Sequence, residues 1–323
     1  MHCRAIAVTV TFAALLSAVL SVTAQTYPSK PIRFIIPFAA GGGNDIVSRV
    51  ICSHLTEAFG QQVVPDNRAG AGGIIGTEMV AQSAPDGYTL GMGSTSTFAI
   101  NPALMKKLPY DPIRDFAPVT LTVSNAYVLV AHPSLPVRTV KELIALAKAR
   151  PGALNFPSAG NGTTLHLAGE IFKTMAGVDM VHVPYKGSGP AIVDLLGGHV
   201  HLAFSPMTQV LQPARSGRLR LLGITSLKRS VVIPEVPTLD ESGVRGYNVV
   251  GWFGVVAPAG TPKPVVNKLH QAIVRILNSP AVDRLVKEGA EIGGTPPEQF
   301  AAYIKAELAK WGKAVRDAKV PMR

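Results

Sequence analysis

Short apolar runs alternate with amphipathic stretches along most of this chain. Apolar runs bounded by turn residues are typical of buried strands, and apolar residues at three- and four-residue steps are typical of helices. The predicted strands span residues 32–38, 62–65, 88–93, 127–131, 154–157, 181–184, 200–204 and 219–225, and the predicted helices span 45–59, 74–82, 139–150, 165–175 and 190–196. This alternation predicts an α/β fold with mainly parallel sheets.

Two local patterns sharpen the helical predictions. Thr139 and Glu142 have the spacing of a capping box just ahead of an apolar pair, so a helix is expected to begin there. A last helix is predicted over residues 297–317, and its apolar side chains are expected to face a core: Phe300, Ile304, Leu308, Trp311 and Val315.

The domain layout is predicted from two β-type segments, residues 123–131 and 248–257, because no low-complexity linker or internal repeat divides the chain. If both segments cross between domains, one lobe is residues 25–125 plus 252–323 and the other is 126–251. Such a layout predicts a ligand cleft between two lobes, with loops beyond the carboxyl ends of the strands forming the site. Trp252 and Phe253 are expected to fill the hinge rather than to stack on a ligand.

The first 24 residues have the pattern of a secretory signal peptide. Arg4 supplies a positive start, residues 5–22 are apolar or small without charge, and small residues at Val22 and Ala24 suit cleavage after Ala24. The alternative is an uncleaved membrane anchor, since the apolar stretch is almost long enough to span a bilayer. We expect cleavage and a periplasmic location.

Composition narrows the function classes. Cleavage leaves 323 − 24 = 299 residues, enough for two domains, and removal of Arg4 lowers the formal net charge from +11 to +10. The Lys and Arg residues are scattered without a block of five, so an acidic small ligand is favoured over nucleic acid or a membrane surface. Cys52 alone survives cleavage, which excludes an internal disulfide, and its apolar neighbours predict a buried, inert thiol.

A glycine-rich loop follows the first predicted strand. Gly41, Gly42 and Gly43 lead into a helix near Asn44. A helix start leaves backbone N–H groups without intrahelical acceptors, and its dipole adds partial positive charge, so the geometry suits an anion. No Gly-Lys-Ser/Thr follows, so this is not a nucleotide P-loop of the usual kind. The alternative is a tight turn capped by Asn44 or Asp45.

A second loop, residues 159–164, repeats this pattern in the other lobe, with glycines after a strand and hydroxyls at a helix start. We therefore expect both loops to supply N–H donors and hydroxyls to a small carboxylate, without an arginine clamp; Arg68 is expected to stabilise its own turn or to face solvent. The candidate binding residues are Phe38, Ala39, Gly41, Gly42, Asn44, Asp45, Ser94, Thr95, Ala159, Gly160, Gly162, Thr163, Thr164, His166, Gly187 and Ser205.

An ordered series of short motifs resembles the Bug family, the periplasmic solute-binding receptors of tripartite tricarboxylate transporters. The matching motifs cover nearly all of the mature chain: Pro37-Phe38 with Gly41-Gly42 and Asp45, Asn67-Arg68 with Gly70-Ala71-Gly72-Gly73, Pro85-Asp86-Gly87-Tyr88, Tyr110-Asp111-Pro112, Gly160 with Gly162-Thr163 and His166, Val183-Pro184-Tyr185-Lys186-Gly187, Pro237-Thr238, and Ala257-Pro258 with Thr261-Pro262.

The resemblance implies a two-lobed, type II periplasmic-binding-protein fold that closes on a small organic carboxylate and passes it to inner-membrane transporter subunits. We expect a monomer with no cofactor, no metal and no catalysis. A ligand sensor without a transport role is an alternative. His199 and His201 depart from the family pattern, which usually has a polar residue and an Asp there; they are predicted to lie two apart on a strand as ordinary sheet residues rather than metal ligands.

Two kinds of enzyme are alternatives to a receptor. The glycines at 70–76 fit only a loose variant of a dinucleotide fingerprint. An exported hydrolase on a small acidic substrate would use the hydroxyl cluster Ser94, Thr95 and Ser96 with His166 as the base. No Gly-x-Ser-x-Gly elbow and no His-Glu-x-x-His helix is present in the sequence, so binding without catalysis is preferred.

Overall fold

The computed structural model describes residues 27–317, and the predicted leader and cleavage site lie outside them. The strands are β1 Ile32–Ile36, β2 Val63–Asn67, β3 Thr89–Ser94, β4 Phe116–Ala131, β5 Asn155–Ser158, β6 Val181–Pro184, β7 Leu202–Pro206, β8 Arg220–Ile224, β9 Val250–Pro258 and β10 Glu291–Ile292. The α-helices are α1 Gly43–Phe59, α2 Ile74–Ala81, α3 Asn101–Leu104, α4 Val140–Ala149, α5 Thr164–Ala176, α6 Ser188–Leu196, α7 Met207–Arg215, α8 Lys263–Leu277, α9 Asp283–Lys287 and α10 Pro297–Asp317. A π-helical turn, Ser96–Ile100, runs directly into α3.

Strand β4 joins the two halves of the molecule. Its first part pairs with β9, in the sheet that continues through β3 and β1 to β2. Its last part, from Tyr127 to Ala131, lies between β7 and β8. β5 and β6 form a separate two-stranded sheet. This one strand therefore belongs to both lobes.

The expectation of mainly parallel sheets is wrong. β1 is parallel to β2 and β3, and β5 is parallel to β6, but β4 is antiparallel to β7, β8, β9 and β10, and β3 is antiparallel to β9. The reason is that β4 carries the chain out of one half and β9 carries it back, so the two crossing strands must run in opposite directions. The α/β class is confirmed, with a mixed sheet.

The predicted periodicities correspond to buried faces. Ile32, Phe34 and Ile36 on alternate positions of β1 are in one apolar cluster with Val47 and Leu55 of α1. In the other half, Leu129, Phe156 and Phe172 belong to a second cluster. The capping box at Thr139 and Glu142 is confirmed at the start of α4. Burial raises the pKa of the Cys52 thiol to about 12, which confirms a buried thiol.

The last helix also fits its prediction. It spans Pro297–Asp317, and four of its five predicted core residues are buried, while Leu308 is partly buried against the apolar cluster that contains Phe300 and Ile304. The division into lobes at residues 125 and 251 stays a prediction. Residue 125 lies in β4 and residue 251 lies in β9.

Candidate functional site

A small, partly open cavity lies where loops from both halves of the molecule meet. Its volume is about 40 Å³, against the roughly 10–15 Å³ that one water needs. Its lining residues are Phe38, Gly42, Gly43, Asn44, Ser94, Ser96, Tyr127, Ala159, Thr163, Thr164, Leu165, Ser188, Pro206, Trp252 and Phe253. The cavity therefore has hydroxyls and helix starts on some walls and aromatic rings on others.

The start of α1 forms one polar wall. Gly42 is extended, with φ −81° and ψ 164°, and no side chain caps the helix. The first N–H groups of the helix therefore have no intrahelical acceptor, and the helix dipole places positive potential beside them. The side chain of Asn44 is buried here, and neither its amide nitrogen nor its amide oxygen has a partner within residues 27–317. A buried unpaired amide is costly, so its partner is expected to be a ligand or water.

Asp45 supports this wall from behind rather than lining the cavity. Its carboxylate accepts hydrogen bonds from the Gly41 N–H at 2.9 Å, from Asn67 Nδ2 at 2.9 Å and from Arg49 Nε at 2.9 Å. Burial acts to raise the pKa of Asp45, but these hydrogen bonds and the charge of Arg49 together hold it below 3.8. Asp45 is thus an anion that fixes the shape of the glycine loop.

The start of α5 forms the opposite polar wall. Thr163 is its N-cap, and the Thr163 hydroxyl accepts from the His166 N–H at 3.4 Å and donates to the Gly160 carbonyl at 2.7 Å. The Thr164 N–H donates to Ser96 Oγ at 3.0 Å, and the two hydroxyls lie 3.2 Å apart. Ser96 belongs to the first half of the chain and Thr164 to the second, so this pair joins the two halves.

Aromatic rings form the remaining walls. Trp252 and Phe253 come from β9, Tyr127 from β4, and Phe38 from the loop after β1. The Trp252 indole N–H donates to the buried carboxylate of Glu307 at 3.2 Å, so the polar atom of this ring is already bonded. Burial raises the pKa of the Tyr127 hydroxyl, which therefore stays neutral.

Other contacts hold the walls together. Gln209 Nε2 donates to the Gly41 carbonyl at 2.8 Å, and the Ala39 N–H donates to the Lys186 carbonyl at 3.2 Å. A Cβ on Gly42 would lie 2.9 Å from Ser188 Oγ, so the glycine permits this approach. The loops of the two halves are in direct contact, which is the geometry of a closed clamp.

Seven of the predicted binding residues line the cavity, and nine lie around it. Those in the lining are Phe38, Gly42, Asn44, Ser94, Ala159, Thr163 and Thr164. The others hold its walls in place: Ala39, Gly41, Asp45, Thr95, Gly160, Gly162, His166, Gly187 and Ser205. For example, the Thr95 hydroxyl accepts from the Trp252 N–H at 2.8 Å, and the Gly162 N–H donates to His166 Nδ1 at 3.4 Å.

The sequence did not single out several lining residues as binding residues: Gly43, Ser96, Tyr127, Leu165, Ser188, Pro206, Trp252 and Phe253. Gly43 belongs to the predicted glycine-rich loop, and Ser96 belongs to the hydroxyl cluster that the hydrolase alternative would use. Trp252 and Phe253 lie at the expected crossing, yet they line the cavity as well. Nothing in the local pattern around Tyr127 separates a lining residue of a long strand from a core residue.

The hydrolase alternative finds no support in these contacts. Ser94 Oγ lies 3.2 Å from Thr97 Oγ1, and the His166 ring packs at a tilt against the His182 ring, with centroids 4.2 Å apart. A serine–histidine pair does occur, Ser158 Oγ to His182 Nε2 at 2.6 Å, but Ser158 is fully buried and does not line the cavity. Arg68 pairs with Asp66 at 2.9 Å and is half exposed.

The histidines that depart from the family pattern precede strand β7, which begins at Leu202. Their predicted placement on a strand is therefore wrong. His201 Nδ1 accepts from the Asn155 N–H at 3.1 Å. Within residues 27–317, no group of three or more His, Cys, Asp or Glu side chains is placed to hold a metal ion. No helix in this range is both long and apolar enough to cross a membrane.

Comparisons with known proteins agree with this architecture. A model of the tripartite tricarboxylate transporter family receptor matches residues 47–320. The chain is 41% identical over 319 residues to Protein BugT of Bordetella pertussis, covering 97% of each chain. It is similar in structure to the periplasmic binding protein BugD, with a TM-score of 0.88, 36% identity and coverage of 92% of this chain and 100% of the other. It is equally similar to R. palustris Rpa4515 with adipate, with a TM-score of 0.88, 37% identity and coverage of 91% and 98%.

Proposed function

The chain belongs to the tripartite tricarboxylate transporter receptor family, known as the Bug family, and on that basis we propose that it captures a small organic carboxylate between its lobes and delivers it to a membrane transporter. Members of this family are periplasmic solute-binding receptors and not enzymes. The type II periplasmic-binding-protein fold suits this task, because a ligand that touches both lobes favours the closed state.

The observation that carries the proposal is the uncapped start of α1 beside Asn44. The N–H groups of Gly43 and Asn44 and the unpaired Asn44 amide nitrogen are donors, and the helix dipole favours a negative charge next to them. A carboxylate accepts hydrogen bonds only, so it matches this wall. The bound adipate of Rpa4515 supports the same ligand chemistry.

The predicted leader and the predicted lobe boundaries are part of this proposal. Cleavage after Ala24 would release a protein that begins at Gln25 in the periplasm, and residues 125–126 and 251–252 would act as the hinge. N-terminal sequencing of the exported protein tests the first point. Uptake of radiolabelled ligand by cells with and without this protein tests delivery, and uptake that does not depend on the protein contradicts it.

Replacing Asn44 tests the site directly. Calorimetry is performed with the exported protein after unfolding and refolding to remove carried-over ligand, using adipate, succinate and benzoate as probes. Asn44→Leu keeps the volume of the side chain but removes the donor, and a hydrogen bond to a charged group is worth roughly 1.5–3 kcal/mol. The tightest probe should therefore bind about 10–100-fold more weakly.

Asn278→Leu is the matched control, because Asn278 is exposed at the end of α8. It should leave the affinity unchanged. Equal affinities for Asn44→Leu and the unchanged protein would place the carboxylate elsewhere. If no probe binds the unchanged protein, the proposed ligand chemistry itself is contradicted.

A further inference from the structure

We infer that the cavity selects monocarboxylates with a flat apolar body, such as aromatic acids of the size of benzoate, over di- and tricarboxylates. This inference rests on the proposed function and names the ligand class of the same site.

None of the described residues that line the cavity is acidic or basic. The nearest acidic group along the chain, Asp45, is engaged by Arg49, Gly41 and Asn67 behind the wall. A second or third carboxylate of a ligand would thus meet no cation inside the cavity.

Several hydroxyls of the cavity lining bond to other groups of the protein. The Thr163 hydroxyl donates to the Gly160 carbonyl at 2.7 Å, and the pairs Ser94–Thr97 and Ser96–Thr164 each use one hydroxyl hydrogen within the pair, at 3.2 Å. A hydroxyl has one hydrogen to donate, and a carboxylate needs donors. The Asn44 amide at the start of α1 is unpaired among the described residues, so it is a donor left for a ligand.

Four aromatic rings form the apolar walls of the cavity. Phe38, Tyr127, Trp252 and Phe253 line the cavity, and the polar atom of Trp252 bonds to Glu307. The rings therefore offer carbon to the ligand. Aromatic side chains pair favourably with another ring in offset or edge arrangements. A carboxylate placed against them would lose its hydration without gaining a hydrogen bond.

The experiment compares ligands of matched size by calorimetry on the refolded, exported protein. Benzoate is the aromatic probe, and 4-methylpentanoate and succinate form a pair in which an isopropyl group replaces one carboxylate. We expect benzoate to bind at least tenfold more tightly than succinate, and 4-methylpentanoate to bind more tightly than succinate. Adipate is the fourth probe, and it should bind at least tenfold more weakly than benzoate.

The outcomes separate this inference from the proposed function. Succinate or adipate binding more tightly than benzoate overturns the inference and leaves carboxylate binding intact. Tighter binding of 4-methylpentanoate than of benzoate overturns the aromatic preference. If none of the four acids binds, the proposed function fails, and the inference fails with it.

A variant tests the ring wall itself. Phe253 is only partly buried, and Phe253→Leu keeps an apolar surface but removes the ring. We expect benzoate to bind at least fivefold more weakly, and 4-methylpentanoate to stay within twofold. Phe59→Leu, a partly buried ring at the end of α1 that does not line the cavity, is the control and should change neither affinity. An equal loss for both acids in Phe253→Leu contradicts ring recognition.

Discussion

Gly162 lies where the second glycine loop approaches the first half of the chain. Its φ of +77° is a conformation that residues with a Cβ avoid, and a Cβ there would lie 2.4 Å from the Asn101 Oδ1 atom. Gly217 has nearly the same φ, +74°, but open space around it. The two glycines therefore separate backbone strain from contact between the lobes.

We predict that Gly162→Ala and Gly217→Ala each lower the free energy of unfolding by about 1–2 kcal/mol, because both force a left-handed conformation on alanine. Gly162→Ala alone should weaken carboxylate binding, by more than tenfold, because its Cβ opposes closure. Urea unfolding and calorimetry measure the two effects. Normal binding by Gly162→Ala would mean that the lobes need not approach this closely.

Asp45 links the shape of the ligand loop to pH. The pKa of Asp45 in the folded protein is below 3.8, because the bonds from Arg49, Gly41 and Asn67 outweigh the effect of burial. The unfolded chain therefore takes up the proton first as pH falls. The stability that this carboxylate contributes is fully present above its unfolded pKa near 3.8, and is lost as pH falls through the folded value.

We predict that the unfolding free energies of the unchanged protein and Asp45→Asn differ by a constant amount from pH 7 to about pH 5. The difference should shrink as pH falls below about 4, because the protonated Asp45 loses its charged contacts just as Asn lacks them. Urea unfolding at a series of pH values measures this. A difference that is the same at pH 7 and pH 2 would show that the charge of Asp45 does not hold the loop.

At the residue scale, the sequence predicts the kind of site better than its members. Gly42, Asn44 and Thr163 are recognisable because glycines and cap residues follow predicted strands. Asp45 follows the same pattern but lies behind the wall, since its carboxylate bonds to Asn67 at the end of β2 as well as to Arg49 one turn along α1. Whether a polar side chain meets a ligand or a protein partner depends on such contacts, which spacing along the chain does not encode.

At the scale of elements, α10 is attached to the cavity wall through one buried carboxylate. Glu307 Oε2 accepts the indole N–H of Trp252 at 3.2 Å and that of Trp311 at 2.9 Å, and Glu307 Oε1 accepts from Lys310 at 3.0 Å. Trp252 in turn lines the cavity. The helix thus holds a ligand-facing ring in place from the outside.

We predict that Glu307→Ala lowers the free energy of unfolding by about 2–4 kcal/mol, because two buried indole N–H groups lose their acceptor at roughly 1–3 kcal/mol each. Glu307→Gln should cost much less, since its amide oxygen can replace the single oxygen that both indoles use. Lys310→Ala, which removes only a half-exposed partner, should cost under about 1 kcal/mol. Urea unfolding of the three variants checks this order, and equal losses for Ala and Gln would contradict it.

Elements with a strong local signal could be predicted, and those defined by distant pairing could not. The start of α4 and the whole of α10 follow from a capping box and from helical periodicity. β4 is a single strand of 16 residues, whereas the pattern predicts strand only in its second half. The sequence of its first part alternates less clearly. This part is a strand because it pairs with β9, from the far end of the sequence, and that partner decides its conformation.

At the scale of the whole molecule, the two halves are joined by β4 and β9 and touch again across the cavity. The hydrogen bonds from Gln209 to Gly41 and from Ala39 to Lys186 span that contact. Each is worth only about 0.5–1.5 kcal/mol. A ligand held by both walls adds to these few bonds, so the balance between open and closed states is expected to depend on the ligand.

We predict that saturating ligand reduces the radius of gyration of the exported protein in small-angle scattering. A compact chain of 323 − 24 = 299 residues has a radius of gyration near roughly 19 Å, and the ligand-bound form should approach that value from above. Gly162→Ala should stay at the larger radius at the same ligand concentration, because its Cβ meets Asn101 on closure, whereas Gly217→Ala should close normally. A ligand that binds tightly but leaves the scattering curve unchanged would mean that the pocket is rigid, and the crossing strands would then be a fixed frame rather than a hinge.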